Sequence, residues 1–382
     1  MKVPQGFEVS GVTAGIKESG RSDLGLIYSP LPLAWALVST TNLVKAPCVS
    51  RNRARYSANT PVRALVVNSG NANCATGEQG TWANEDLAGA AAAALALDRV
   101  QDVLTASTGV IGQPLQIDRL GAAMPAAARQ LSNDTSGFAE AILTTDTISK
   151  EVAATLSSGA RIVGIAKGSG MIHPNMATLL AFVMTDAKLP QEQLRELWPT
   201  VVDNSFNQLT VDGDTSTNDM AIVLSSRRVD ADLKEFVEAL TDVCVRLAKK
   251  VARDGEGATK LLTARVTGGR NDAEARAAAK TIAGSMLVKS AVHGADPNWG
   301  RILAAVGRSG AVGDLANIFV KMQGTLLYQG TPQGFDPAYV SRQLQQPEVL
   351  IEVGLAAGDA VAEAWGCDLS ADYVRINADY TT

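Results

Sequence analysis

Apolar positions along this chain recur with two different periods. Leu24–Tyr28 alternates, and Leu33–Ser39 and Arg63–Asn68 are short runs rich in aliphatic residues, so all three predict strands. Thr81–Leu97 is alanine-rich with Glu85 and Asp86 early, the pattern of a helix whose acids sit near its positive end. Leu104–Gly112 predicts a short strand breaking into a Ser-Thr-Gly turn, Gly137–Leu143 a helix, and Arg161–Ala166 a strand. The nearly continuous apolar run Thr178–Met184, closed by Thr185-Asp186, predicts a strand buried on both faces. Gln191–Asn204 reads as a helix. So does Asp230–Arg253, where Leu233, Phe236, Val237, Leu240, Val243, Cys244, Leu247 and Val251 recur at three and four and place Cys244 in the core. Leu261–Thr267 predicts a strand and Asn271–Ala283 a helix. In Asp296–Ile302, Pro297, Asn298 and Gly300 predict a turn anchored by Trp299, structural or interface-forming. From Leu315 onward strands separated by turns are expected at Ile318–Met322, Leu326–Tyr328 and Val349–Leu355, before a polar tail that would ordinarily fray. This alternation predicts an α/β protein of layered sheets and helices.

Composition narrows the possibilities. The 382 residues suffice for two lobes or one large domain. Hydrophobic residues make up 46% but aromatics only 5%, so alanine, valine and leucine must do the packing. The net charge of −5, with no long run of one sign, argues against a nucleic-acid partner. Four scattered cysteines and two histidines form no metal-ligand spacing, so no metal is expected. The opening MKVPQGFEV lacks the order of a signal peptide, and no apolar stretch is long enough to suggest a membrane partner. These features predict a soluble cytoplasmic protein.

The stretch richest in chemical meaning is Lys167–Ala187, KGSGMIHPNMATLLAFVMTDA. A glycine-rich loop leads into the apolar strand, and Thr178 stands at the junction. One reading is a core threonine bonded to nearby backbone. The other is a nucleophile, which needs a base beside it. Cutting the Ala177–Thr178 bond would supply one: a free α-amine has a pKa near ~8, against ~10.4 for lysine, and can act as a base near neutral pH.

Other segments are ambiguous taken alone. NSGNAN, Asn68–Asn73, is either a tight turn or a loop presenting amides at a site. Thr108-Gly109 lets backbone approach a substrate closely, though such turns are common. Thr144-Thr145-Asp146-Thr147 reads as a plain loop, Lys167 as a surface charge, and Glu256 between two glycines as a solvated acid, unless each faces a ligand. VDGDTSTND, Val211–Asp219, invites a calcium-loop reading but lacks the glycine and glutamate that loop requires.

Taken together, KGSGMIHPNMATLLAFVMTDA, NSGNAN, STG, TTD, VDGDTSTND and DPNWGRI occur in the order found in the ornithine acetyltransferase (glutamate N-acetyltransferase) family, and the chain resembles that family along essentially its whole length. The resemblance implies the fold of the self-cleaving ornithine acetyltransferase and aminopeptidase DmpA group. It implies autoproteolysis at Ala177–Thr178, giving an α chain of residues 1–177 and a β chain of residues 178–382 that begins with the nucleophile. It assigns Thr178 as nucleophile, Thr108 and Gly109 as the oxyanion hole, and Thr144, Lys167, Thr178, Glu256, Asn377 and Thr382 as substrate-binding residues. The family usually has Ala-Cys-Thr-Gly where this chain has Cys74-Ala75-Thr76-Gly77, which leaves no special role for that cysteine.

The implied reaction is a double displacement. Thr178 takes acetyl from N-acetylornithine, ornithine leaves, glutamate enters, and N-acetylglutamate forms. No cofactor is required, and no phosphate-cradling motif is present. Whether acetyl-CoA is a second donor stays open. The resemblance also implies a heterotetramer of two α and two β chains. Two rivals remain from sequence: an aminopeptidase or amidase with the same nucleophile, and an uncut small-ligand binder whose KGSGM loop cradles an anion.

Overall fold

The computed structural model describes residues 1–173 and 179–379. The first eight strands are β1 (Glu8–Val12), β2 (Leu24–Ser39), β3 (Val62–Asn71), β4 (Val103–Val110), β5 (Lys150–Thr155), β6 (Arg161–Lys167), β7 (Leu180–Ala187) and β8 (Met220–Val229). They form a mixed sheet in the order β4-β3-β2-β8-β7-β6-β5, with β1 added on β2. The two strands expected at Leu24–Tyr28 and Leu33–Ser39 are one strand with a break in register between them. Its first half pairs with β1 and β3, its second with β8.

That break folds the sheet over on itself. One buried cluster joins Ile27, Leu65, Val67 and Leu104 from the first half to Leu37, Phe182, Ile222 and Leu224 from the second. Phe138 and Phe182 meet edge to face within it, their ring centroids 5.7 Å apart. The outer face of the β3–β4 half is covered by helices Gly77–Ala94 and Ile117–Arg129. The outer face of the β6–β8 half is covered by helices Gln191–Asp203 and Leu233–Arg253. The result is helix, sheet, sheet, helix, one form of the layered α/β arrangement that the alternation of periods predicts.

The second sheet comprises β9 (Leu261–Gly269), β10 (Phe319–Met322), β11 (Thr325–Gln329), β12 (Thr331–Pro332), β13 (Glu348–Gly354) and β14 (Ala360–Cys367), in the order β12-β11-β10-β13-β9-β14. Helix Asp272–Ala283 and its neighbours cover one face. Leu261, Trp365 and Cys367 on the other join the cluster beneath helix Leu233–Arg253, so this helix is packed by both sheets. Its Asp232 cap accepts from Glu235 N–H, and Cys244 is fully buried on its apolar face.

Three expectations need correction. Strand β7 is buried throughout, as predicted, but runs through Thr185-Asp186 to Ala187. Those polar residues stay in a buried strand because each has partners: Thr185 donates to Arg161 O, while Asp186 accepts from Arg161 N–H and Gln5 N–H. The DPNWGRI segment is not a closed turn. Asn298 caps a helix, Trp299–Gly307, by accepting from Arg301 N–H, and Gly300 is inside it; Trp299 stacks on Tyr328. The region after Leu315 is not all strand and turn either. Helices Pro337–Leu344 and Ala371–Asp379 lie there, and Asp336 supplies the cap that starts the first.

Candidate active site

The fold-over of β2 brings the ends of β3 and β4 against the starts of β7 and β8. Asn218, just before β8, makes the join: its Nδ2 donates to Ala72 O at 2.6 Å and to Ser107 O at 2.8 Å. A pocket opens at this seam. Thr108, Gly109, Thr144, Lys167, Gly170, Leu179, Asp219, Glu256 and Asn377 are among its lining residues.

The NSGNAN amides serve mainly to build the wall. Asn68 accepts from Ser107 Oγ (2.7 Å) and donates to Asn71 O (2.8 Å); Asn71 donates to Pro114 O (3.0 Å) and accepts from Asn73 N–H (2.7 Å). This mesh fixes the turn against which Thr108-Gly109 lies. Gly109 has φ +133°, and a Cβ there would lie 2.3 Å from Gly70 C, so no larger residue fits.

Lys167, at the end of β6, is buried, and its Nζ donates to Thr108 Oγ1 at 3.2 Å. An ammonium has only donors, so the threonine oxygen accepts and keeps its own hydrogen free to donate into the pocket. Burial lowers the lysine pKa and Lys150 adds to that, while Asp146, Asp219 and Glu256 oppose it. The lysine therefore belongs to a buried charge network and not to the surface. Lys150 Nζ lies 2.6 Å from both Asp146 Oδ1 and Asp254 Oδ2. Asp146 also accepts from Gly168 N–H (2.6 Å) and Thr144 N–H (3.0 Å), tying the loop after β6 to the Thr144 turn. Burial alone would raise the Asp146 pKa, but Lys167 and Lys150 outweigh it and hold the carboxyl well below the usual range.

Glu256 reaches the pocket from the other side. Its N–H donates to Ser169 O at 3.0 Å, and its carboxylate lies over Gly170, where an added Cβ would come within 2.4 Å of it. Asn377, on helix Ala371–Asp379, donates to Glu256 Oε2 at 2.9 Å. Helix Ala371–Asp379 thus brings Asn377 to the pocket. The structure brings together Thr108, Gly109, Thr144, Lys167, Glu256 and Asn377. Ala177, Thr178 and Thr382 lie outside the described residues.

Sequence reasoning gave no individual role to four residues here, although all four lie within the TTD and VDGDTSTND motifs. Asp212 clamps the glycine-rich loop by accepting from Met171 N–H (2.7 Å) and Ile172 N–H (2.8 Å). Asn218 makes the seam, Asp219 lines the pocket, and Asp146 anchors two of its loops. The Asp146–Lys150 spacing of four was the only sequence signal for the buried pair. His293 lies elsewhere, bonded to Asp368 at 2.6 Å. Among the described residues the four cysteines are free and buried, and burial pushes the Cys48 thiol up to about 12. No group of three metal-binding side chains exists among the described residues, and none of their helices is long and apolar enough to cross a membrane.

A layered α/β fold whose first sheet doubles over on β2, with a charged pocket at the seam between its two halves, defines the class. Residues 8–382 match the ArgJ family model. The chain is 52% identical over 380 residues to the arginine biosynthesis bifunctional protein ArgJ of Deinococcus radiodurans, covering 99% of this chain and 97% of that protein. It is 52% identical over 383 residues to the protein of the same name from Thermus thermophilus, covering both completely. A crystal structure of arginine biosynthesis bifunctional protein ArgJ from Bacillus halodurans matches with a TM-score of 0.51 at 42% identity, over 53% of this chain and 100% of that one. The chain belongs to the ArgJ family.

Proposed function

We propose that the chain is a glutamate N-acetyltransferase of arginine biosynthesis, moving acetyl from N-acetylornithine to glutamate through an acetyl-threonine at Thr178. The observation that carries this is the placement of Lys167 beside Thr108, with Glu256 on the same pocket. An α-amino acid presents a carboxylate and a cationic end. In this reading Lys167 takes the first and Glu256 the second, with Thr144 and Asn377 beside them. Thr108 and Gly109 then face the acyl carbon, where one well-placed donor is worth ~3 kcal/mol to the developing oxyanion. Thr178 and Thr382 join this site as nucleophile and as a further substrate contact.

Self-cleavage at Ala177–Thr178 precedes catalysis and leaves chains 1–177 and 178–382. The second holds about 54% of the residues. That the Bacillus halodurans chain is matched completely by 53% of this one supports such a division. Two copies of each piece form the assembly. The Asp296–Ile302 segment is the contact, supported by exposed Met286 and Leu287 beside it and by Arg301 donating to Leu287 O. Buried free cysteines suit a reducing cytoplasm.

The test is product formation from N-acetylornithine with and without glutamate. N-acetylglutamate formed in step with ornithine supports the transferase. Ornithine released at full rate without an amino-acid acceptor points to a hydrolase with the same nucleophile. Replacing N-acetylornithine by acetyl-CoA in the same assay decides the second donor. Thr178→Ala is expected to stay full length and inactive, as read by intact mass and the same assay.

A further inference from the structure

One step in this scheme has no base. A cut chain uses its threonine amine, but in the uncut chain that nitrogen is a peptide nitrogen and takes no proton. The described part of the pocket offers six titratable side chains: Lys167, Asp212, Asp214, Asp219, Glu256 and Tyr373. Lys167 is committed to Thr108, and Asp212 uses both oxygens on backbone N–H groups. Glu256 is bonded to Asn377, and Asp214 is exposed to water. Burial, reinforced by Asp212 and Glu256, raises the Tyr373 pKa.

Asp219 is different. It is 4% exposed, and Ser216 serves it with both its side chain and its backbone N–H. Its Oδ2 is buried without a partner among the described residues, in a pocket where such an atom is costly to leave idle. Its backbone is fixed: its carbonyl accepts from Thr40 N–H at 3.0 Å, and the next residue, Met220, donates to Leu179 O at 3.0 Å. Met220 is in register with Leu180. Asp219 therefore stands just before β8, beside Leu179, the residue that precedes β7 and is covalently joined to Thr178.

We propose that the Asp219 carboxylate is the general base of self-cleavage, a role that rests on the Ala177–Thr178 reading above. Asp219 takes the proton of the Thr178 hydroxyl as Oγ bonds to the Ala177 carbonyl carbon. It returns that proton to the Thr178 nitrogen as the C–N bond breaks. This leaves an ester between Ala177 and Thr178 Oγ and a free amine. Water then hydrolyses the ester to the Ala177 carboxyl and the Thr178 hydroxyl. Burial raises the Asp219 pKa above that of an ordinary aspartate, with Ser216 and then Lys167 opposing; this makes the ionised carboxylate the stronger base, and cutting is expected to slow as pH falls and that form is lost.

The experiment follows cutting of the full chain by intact mass after cell-free synthesis. Wild type is expected to be cut. Asp219→Asn, with unchanged circular dichroism and melting, is expected to be cut about 100-fold more slowly or worse. Hydroxylamine, which opens esters, is expected not to speed it, because no ester forms. A folded Asn variant cut at the wild-type rate, or one holding an ester that hydroxylamine releases, overturns the proposal. Should Asp219→Asn not fold, Asp219→Glu decides: a displaced pH midpoint for cutting supports the role, and an unmoved one sinks it. A wild-type chain that transfers acetyl while remaining uncut would instead defeat the underlying reading.

Discussion

Asn377 donates to Glu256 across 121 residues of chain, at 2.9 Å, and so holds the C-terminal helix over the pocket. Both residues are proposed to touch substrate, and each sets the position of the other. Asn377→Asp would place two carboxylates together and push the helix away. The expected result is a rise in KM of about tenfold, equivalent to ~1.4 kcal/mol, with a smaller change in kcat. Steady-state kinetics on N-acetylornithine measures it. An unchanged KM would mean that the helix contributes nothing to binding.

Gly170 supports the same carboxylate from below. A Cβ there would lie 2.4 Å from the Glu256 carboxyl, so Gly170→Ala must displace that side chain. KM is expected to rise while melting stays near wild type, since the clash is with the end of a flexible side chain. Glu256→Gln, which removes the charge and keeps the shape, separates the loss of charge from the loss of position.

Asp146 is expected to matter to the whole fold. It and Asp254 flank Lys150, which is fully buried. Removing one partner of a buried ion pair typically costs about 3–5 kcal/mol, because a charge is left uncompensated. Asp146→Asn should show a loss of this order in denaturant unfolding. Because the Asp146 pKa is depressed in the folded state, its stabilisation is present above the ordinary carboxylate range and is lost as pH falls through the lower folded value.

His173 adds a second acid-sensitive contribution. Burial, with Lys280 assisting, depresses its pKa to about 4, while Asp214 opposes; its ring lies 2.9 Å from Thr210 Oγ1. The unfolded chain therefore binds a proton more readily than the folded one. The stability His173 provides is complete above its unfolded value of about 6.5 and is lost as pH falls toward 4. Melting temperatures across that window should fall less steeply in His173→Asn than in wild type.

Much of the layered fold was legible because its signals are local. The three-and-four spacing from Leu233 to Val251 and the apolar run into β7 each name an element without reference to the rest of the chain. The union of Leu24–Tyr28 with Leu33–Ser39 was not legible, since Pro30 and Pro32 between them read as a stop. Helix Ala371–Asp379 was missed because none of its residues is buried, so it carries no core stripe to read. In the site, the family motifs led to Lys167 and Glu256. Asp146 reaches Gly168, 22 residues on, Asn218 reaches Ala72, 146 residues back, and Asp219 is set beside Leu179 by strand pairing, relationships that no single segment displays.

The fold of β2 over itself has a temporal consequence. Thr108 and Gly109 belong to one leaf of the sandwich, while Lys167, Leu179 and Asp219 belong to the other. Neither leaf alone carries all the groups proposed to react. Under the proposed self-cleavage, a nascent copy that stalls before the leaves close would remain chemically silent, and cutting would report that assembly has finished. The proposed scission would then double as its own quality inspection.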